Sequence, residues 1–129
     1  MKVMMGSVPV VLAMLAVGTA VQSSAQQSSP AMGAQVFATC RTCHTLSAGQ
    51  RSGIGPNLHG LFGRQAGSLA GYNYSPALKA SGIRWADKSL DAYLAAPSKL
   101  VPGTRMVIRV ADPARREALI QYLKAETAK

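Results

Sequence analysis

Apolar residues recur three or four positions apart in four stretches of the chain, and each stretch follows a residue that can cap a helix. These capping residues, three of which precede a proline, are Ser29, Ser75, Asp87 and Asp112. A side-chain oxygen at the cap accepts a free backbone N–H, and proline fits the first helical turn. The pattern predicts a first helix over residues 31–43, a short helix from Pro76 that Gly82 closes, a third helix that Pro97 stops, and a last helix with a broad apolar face.

Two long segments lack this period. The segment from His44 to Gly71 contains seven glycines, the last being Gly71, while residues 97–111 hold a β-branched run, Val107–Val110, with no evident partner strand. We interpret both segments as loops. Loops this long are usually functional or wrapped around something. Three apolar residues of the first loop need a surface to cover: Leu58, Leu61 and Phe62. The predicted fold class is all-α, with long loops around a bound group.

The amino-terminal stretch has the composition of a leader. Lys2 precedes the nearly continuous apolar run Val8–Val21, which is shorter than the ~20 residues of a membrane span, and a small-x-small site ends at Ala25. We therefore predict a signal peptide over residues 1–25, a flexible arm over 26–30 and one domain over 31–129. An uncleaved membrane anchor is the alternative. Both interpretations place the domain outside the cytoplasm, and the first makes it periplasmic.

The charge of the chain is strongly basic. Lys and Arg number 14 against five Asp and Glu; without Lys2 the balance is 13 against five, or +8. Such a surface favours acidic partners. The basic residues are scattered rather than clustered, which argues against nucleic acid binding. With only Cys40 and Cys43, no disulfide framework holds the fold together.

The segment Cys40-Arg41-Thr42-Cys43-His44 has the spacing of a covalent c-type haem site. On a helical turn, residues three apart share a face, so both thiols can add to the vinyl groups of one haem while the next histidine reaches the iron. A thioredoxin-like pair would need a βαβ setting, and a zinc site would need four ligands. A disulfide between Cys40 and Cys43 is the remaining alternative.

A haem iron that transfers electrons needs a second axial ligand opposite His44. After the leader only Met32 and Met106 remain as methionines, and Met32 lies on the same predicted helix as the attachment site. Met106 is therefore the candidate, and ligation by Met and His raises a reduction potential. Met106 as core filler and His59 as the ligand are the alternatives.

Four longer segments resemble one known family. They are CRTCH at 40–44, GPNLHGLFGR at 55–64, GYNYSPALKASGIRW at 71–85 and YLAAPSKLVPGTRM at 93–106. Together they resemble class I cytochrome c, in the mitochondrial-like branch with soluble bacterial relatives. The resemblance implies a small cytochrome c-like helical globule around one covalent haem c, with crossed first and last helices and Gly33 allowing their close approach.

The resemblance also implies roles for individual residues. His44 and Met106 would be the axial ligands of the iron, and the Pro56 carbonyl would accept the Nδ1–H of His44. Tyr93 would lie beside the Met106 sulfur. The positions that would surround the haem propionates are Arg64, Tyr74, Trp85 and Thr104. Leu78 and the segment 107–111 depart from the family pattern, which indicates an altered distal side.

The expected function is one-electron transfer by a monomeric carrier that is not an enzyme. Its partners would be the acidic faces of a cytochrome bc-type complex, a terminal oxidase, a photosynthetic reaction centre or a periplasmic dehydrogenase. A membrane-anchored carrier is one alternative. A haem peroxidase is another, but it needs an open iron site with a distal acid–base residue.

Overall fold

The computed structural model describes residues 29–129, and within them the chain forms five α-helices. These are α1 Pro30–Cys40, α2 Pro76–Ala80, α3 Asp87–Ala95, α4 Pro97–Leu100 and α5 Pro113–Thr127. The same residues contain no strand, only an isolated antiparallel bridge between Gln65 and Arg84. The predicted all-α fold is confirmed. The leader predicted over residues 1–25 and most of the arm lie outside the described residues.

Side chains cap three of the helices as the sequence predicts. Ser29 Oγ accepts the N–H of Met32 at 3.1 Å at the start of α1. Ser75 caps α2 in the same way, and Asp112 Oδ1 accepts the N–H of Arg115 at 2.8 Å at the start of α5. Each contact satisfies a backbone donor that has no partner within the helix.

The prediction that Asp87 caps α3 is wrong by one position. Ala86 is the capping residue, and Asp87 is the first helical residue. The Ser89 hydroxyl accepts the Ala86 N–H at 2.9 Å, whereas the alanine side chain at the cap accepts no N–H of the first helical turn. The Asp87 carboxylate still lies at the positive end of the helix, where negative charge is stabilising.

Two predicted boundaries also differ from the structure. Helix α1 ends at Cys40 rather than residue 43, because the N–H groups of Cys43 and His44 both donate to the Cys40 carbonyl, at 3.0 Å each, and so close a turn. Residues 97–100, expected to be loop, form α4. Four residues are too few to display an apolar period, although Pro97 occupies the first turn that suits it.

The first and last helices cross at Gly33. A Cβ built on Gly33 would overlap the Ala118 carbonyl oxygen and lie 2.5 Å from the Tyr122 Cβ. Only glycine permits this approach. Phe37, one turn later, is 1% exposed, and its ring centroid lies 5.5 Å from that of Tyr122. This crossing forms one side of the core.

The third helix joins the crossed pair to the loops. Leu90, Tyr93 and Leu94 of α3 are buried, and α3 packs on α5. The Gly-rich loop predicted from His44 to Gly71 has no helix and is held to its surroundings by backbone hydrogen bonds such as Gly63 N–H to the Trp85 carbonyl, at 2.7 Å. No helix within residues 29–129 has the length and apolar character needed to cross a membrane.

Candidate functional site

The helices and loops enclose a cavity of about 550 Å³. Its walls come from the end of α1, the loops around residues 54–58 and 72–75, helices α3 and α5, and the segment 104–108. The lining is mainly apolar with a few polar groups, which is typical of cofactor sites of 300–1,000 Å³. All ten predicted site residues lie along it: Cys40, Cys43, His44, Pro56, Arg64, Tyr74, Trp85, Tyr93, Thr104 and Met106.

Both cysteines lie on one edge of this cavity with free thiols. Cys40 is the last residue of α1, and the following turn brings Cys43 back to the same wall. Burial raises the pKa of the Cys40 thiol above its ordinary value, so this sulfur stays protonated at neutral pH. Two neighbouring free thiols facing a cavity fit thioether formation.

The imidazole of His44 is held at one nitrogen. Its Nδ1 lies 2.7 Å from the Pro56 carbonyl oxygen, which can only accept, so Nδ1 carries the proton and donates. Burial lowers the pKa of His44, while the hydrogen bond to Pro56 opposes this shift. The neutral ring therefore keeps its Nε2 lone pair free for a metal.

Gly55 fixes the position of the His44 ring by steric contact. A Cβ built on Gly55 would overlap the ring, at 2.8 Å from both Nδ1 and Nε2. The backbone of Gly55 is itself held by a hydrogen bond of 2.9 Å from its N–H to the Cys43 carbonyl. The loop therefore closes directly on the imidazole.

Met106 lines the same cavity within the loop after α4. It is half-buried and packs against the core. Just before it, the Thr104 and Tyr93 hydroxyl oxygens lie 2.6 Å apart in a buried hydrogen bond, and the Tyr93 ring packs 5.1 Å from Trp85. Burial raises the pKa of Tyr93, with the Thr104 hydrogen bond opposing it. The hydrogen bond between Thr104 and Tyr93 therefore fixes the start of the loop that carries Met106.

Arg64 and Tyr74 supply polar groups at another part of the wall. The Arg64 guanidinium donates to the carbonyls of His59 and Asn57, at 2.9 and 3.1 Å, so it also holds its own loop. Tyr74 is buried, and desolvation raises the pKa of its hydroxyl, which stays protonated as a donor.

Sequence reasoning missed residues that tie the rim of the cavity together. The Tyr72 hydroxyl donates to the Ile54 carbonyl at 2.5 Å, and Arg105 donates to the Asn73 carbonyl at 2.7 Å. These contacts join residues 18 and 32 positions apart, so no local pattern reveals them. Their only sequence signal is that Tyr72, Asn73 and Arg105 lie within the segments that resemble the family, while Ile54 directly precedes one.

Two residues considered from the sequence lie outside the cavity lining. His59, the alternative ligand, has a buried Nδ1 without a hydrogen-bond partner and does not line the cavity. Phe62, expected to cover the cofactor with Leu58 and Leu61, instead packs near Lys124, whose Nζ lies 5.8 Å from the ring centroid. Leu58 and Leu61 do line the cavity.

The donor set fits a covalent haem better than a bare metal ion. Within residues 29–129, no three His, Cys, Asp or Glu side chains are placed to hold an ion among themselves. A pair of thiols, a neutral imidazole and a thioether instead surround an apolar cavity. The fold and this site define the class of the protein as a small helical c-type haem protein.

The comparisons with known proteins identify the family. The cytochrome c family profile matches residues 30–126. "Cytochrome c" of Arabidopsis thaliana is 48% identical over 103 residues, covering 78% of this chain and 92% of the relative. "Cytochrome c" of Cochliobolus lunatus is 47% identical over 104 residues, covering 79% and 96%. The chain belongs to the cytochrome c family.

A solved structure agrees with this membership. The chain superposes on cytochrome cH from Methylobacterium extorquens with a TM-score of 0.69 and 42% identity, covering 74% of this chain and 97% of that one. The protein is accordingly a one-electron carrier of the cytochrome c type, and one haem c is bound covalently through Cys40 and Cys43. Ligation of the iron by histidine and methionine is typical of this class.

Proposed function

We propose that His44 and Met106 are the axial ligands of the haem iron. The observation that carries this assignment is that both side chains line one cavity, while His44 Nδ1 is occupied by Pro56. The haem, when bound, supplies a metal centre that gains and loses one electron. The protein holds the imidazole in one tautomer and provides a soft thioether, which together raise the reduction potential.

The polar groups along the cavity wall also have a role in this proposal. Arg64, Tyr74, Trp85 and Thr104 would surround the haem propionates, where a cation or a hydrogen-bond donor makes buried carboxylates tolerable. Arg64 and Tyr74 line the same cavity, which supports the placement of a positive charge and a hydroxyl donor at this wall.

We propose electron transfer without enzymatic turnover. A peroxidase needs an open iron position and a distal acid–base group. Met106 lies in the cavity lining and His59 does not, so neither condition is supported by the described residues.

The rim of the cavity is the proposed docking face. Three exposed apolar side chains line this rim: Ile54, Val107 and Ile108. Arg51, Arg105 and Arg109 stand on the same segments, and all five acids lie at position 87 or later on α3, α5 and the Asp112 cap. A partner with an acidic ring around an apolar centre would complement this face, and the candidate partners are a cytochrome bc-type complex, a terminal oxidase, a photosynthetic reaction centre or a periplasmic dehydrogenase.

We further propose export to the periplasm as a monomer, after cleavage before Gln26. The apolar run followed by a small-residue site supports this proposal. The intact mass of the purified protein tests it. A mass matching a chain from Gln26 plus one haem supports a cleaved form, and a mass that includes residues 1–25 contradicts it.

The ligand assignment is tested by the visible spectrum of the oxidised protein. We expect Met106→Ala to abolish the methionine-linked band near the red end, since the thioether is removed from the iron. Met32→Ala is the matched control because Met32, the other methionine after the leader, lies on α1 and is not part of the cavity lining. A band that survives in Met106→Ala, or disappears in Met32→Ala, contradicts the assignment.

A further inference from the structure

The loop that carries Met106 is held at both ends by the same helix. At its entrance, Thr104 is bonded to Tyr93 of α3 at 2.6 Å. At its exit, the Val110 N–H donates to the Leu94 carbonyl of α3 at 2.8 Å. Leu94 lies in the last turn of α3, where carbonyls have no partner within the helix. The loop exit therefore completes the hydrogen bonding of the helix end.

A single arginine strengthens this exit. Arg116 Nε donates to Asp91 Oδ1 at 2.8 Å, and its Nη1 donates to the carbonyls of Val110 and Ala111, at 3.0 and 2.8 Å. The Arg116 side chain is only 11% exposed, whereas Asp91 is 47% exposed. A buried guanidinium needs such partners to offset its lost hydration. One side chain thus joins α5, α3 and the loop exit.

Few contacts restrain the middle of this loop. Val107 is 68% exposed and Ile108 is 54% exposed, and residues 105–110 have no regular secondary structure. Apart from the Arg105 contact with Asn73, the fixed points lie at the two ends. The position of Met106 consequently depends on how firmly those ends are held.

We infer that Arg116, paired with Asp91, is a positioning residue for Met106. This inference rests on the proposed role of Met106 as an axial ligand. By fixing the carbonyls of residues 110 and 111, the guanidinium limits the excursion of the loop and keeps the thioether over the cavity. Lysine cannot replace it fully, because an ammonium lacks the planar fork that reaches several acceptors at once.

The experiment measures how readily an added ligand displaces Met106 in the haem-loaded, oxidised protein. Imidazole is the probe, and the shift of the main haem absorption band reports its binding in every variant, including Met106→Ala, which has no red-end band to lose. We expect Arg116→Gln to bind imidazole about tenfold more tightly, the order expected when charge-assisted hydrogen bonds that restrain the loop are lost. Asp91→Asn, which retains the shape of the side chain, should shift the imidazole affinity in the same direction. It replaces Arg116→Gln as the test variant if Arg116→Gln does not fold.

Arg115→Gln is the matched control. It removes the same charge from the neighbouring position of α5, where the side chain is exposed. Its imidazole affinity should stay within about twofold of the parent, the spread expected of a surface change. Gly33→Ala, a change at the α1–α5 crossing, should also leave the affinity unchanged, since the added Cβ meets Ala118 and Tyr122 of α5 and not the loop that carries Met106.

The outcomes separate this inference from the ligand assignment beneath it. If Met106→Ala binds imidazole as the parent does, Met106 is not the displaced ligand and the assignment itself is wrong. If Met106→Ala binds imidazole more tightly while Arg116→Gln matches Arg115→Gln, the assignment stands and the positioning role of Arg116 is overturned. Equal increases in Arg116→Gln and Gly33→Ala would reduce the effect to general destabilisation and also overturn it.

Discussion

Gly55 shows how one missing side chain determines the position of the His44 ring. Its backbone lies against the His44 ring, and no positive φ is involved, so the reason for glycine here is space alone. We expect Gly55→Ala to push the ring away and lower the free energy of unfolding by about 1–3 kcal/mol, the usual cost of overpacking. The reduction potential should shift with the ring.

Gly60→Ala is the control for Gly55→Ala. Gly60 has a φ of +66° and open space where its Cβ would be. Alanine there should cost about 1–2 kcal/mol through backbone strain. The reduction potential, measured by redox titration, should remain that of the parent. An unchanged potential in Gly55→Ala would show that the His44 ring had not moved.

The raised pKa of Tyr74 should make the free energy of unfolding decrease at alkaline pH. Burial raises its pKa above the ordinary value of 10.0. Below that value both folded and unfolded chains hold the proton. As the pH rises further, the unfolded chain releases it first, so stability falls until the pH passes the folded pKa.

Tyr74→Phe removes this titration. The free energy of unfolding of the parent should therefore fall more between about pH 8 and about pH 11 than that of the variant. Denaturant unfolding of both haem-loaded proteins at the two pH values measures the difference. Parallel pH profiles would mean that Tyr74 titrates alike in the folded and unfolded chains.

At the level of whole helices, the α1–α5 crossing reverses the ordinary effect of a glycine substitution. Glycine to alanine in an exposed helix interior gains about 1 kcal/mol of stability. Gly33→Ala should instead lose about 1–3 kcal/mol, because its Cβ meets Ala118 and Tyr122 of α5. Denaturant unfolding tests the sign. Gln35→Ala, at an exposed position of α1, should change stability by less than about 0.5 kcal/mol.

The sequence predicts helices well where their signals are local. A cap followed by proline lies within two residues, and it locates the starts of α1, α2 and α5 correctly. Helix α4 was missed because four residues cannot show a period. The β-branched run after Met106 remains a loop because its backbone pairs with α3 and Arg116 rather than with a strand.

The candidate site likewise contains some residues that local sequence patterns predict and others that they do not. The five-residue motif at Cys40 identifies the attachment point, and a count of methionines leads to Met106. The Arg116–Asp91 pair spans 25 positions and appears only when α3 and α5 are packed together. Contacts of this kind depend on the assembled fold, so local patterns carry no information about them.

Considered as a whole, the molecule should depend on its cofactor for folding. Without the haem, the mainly apolar walls of a cavity of about 550 Å³ would face water or empty space, and the contacts that hold them together would be lost. Most domains are stabilised by only ~5–15 kcal/mol, so a loss of this kind can remove the folded state. The double variant Cys40→Ala/Cys43→Ala, expressed without haem, should therefore lack a fixed tertiary structure.

Near-ultraviolet circular dichroism and thermal unfolding test this prediction. The haem-free double variant should show weak aromatic signals and no cooperative transition. The single variant Cys40→Ala, which retains one attachment thiol and can be loaded with haem, should remain folded. A cooperative transition in the haem-free double variant would mean that the loops close over the cavity by themselves.

The concentration of arginine at an acid-free rim has a further consequence when two copies of the protein meet. An electron crosses between carriers only when their cofactor edges approach, and for identical molecules that brings like charges face to face. Self-exchange between reduced and oxidised copies should therefore quicken as salt is added, while exchange with an acidic partner slows. At low salt, electron transfer between two copies of the protein should therefore be slow, whereas transfer to a partner of opposite charge should be fast.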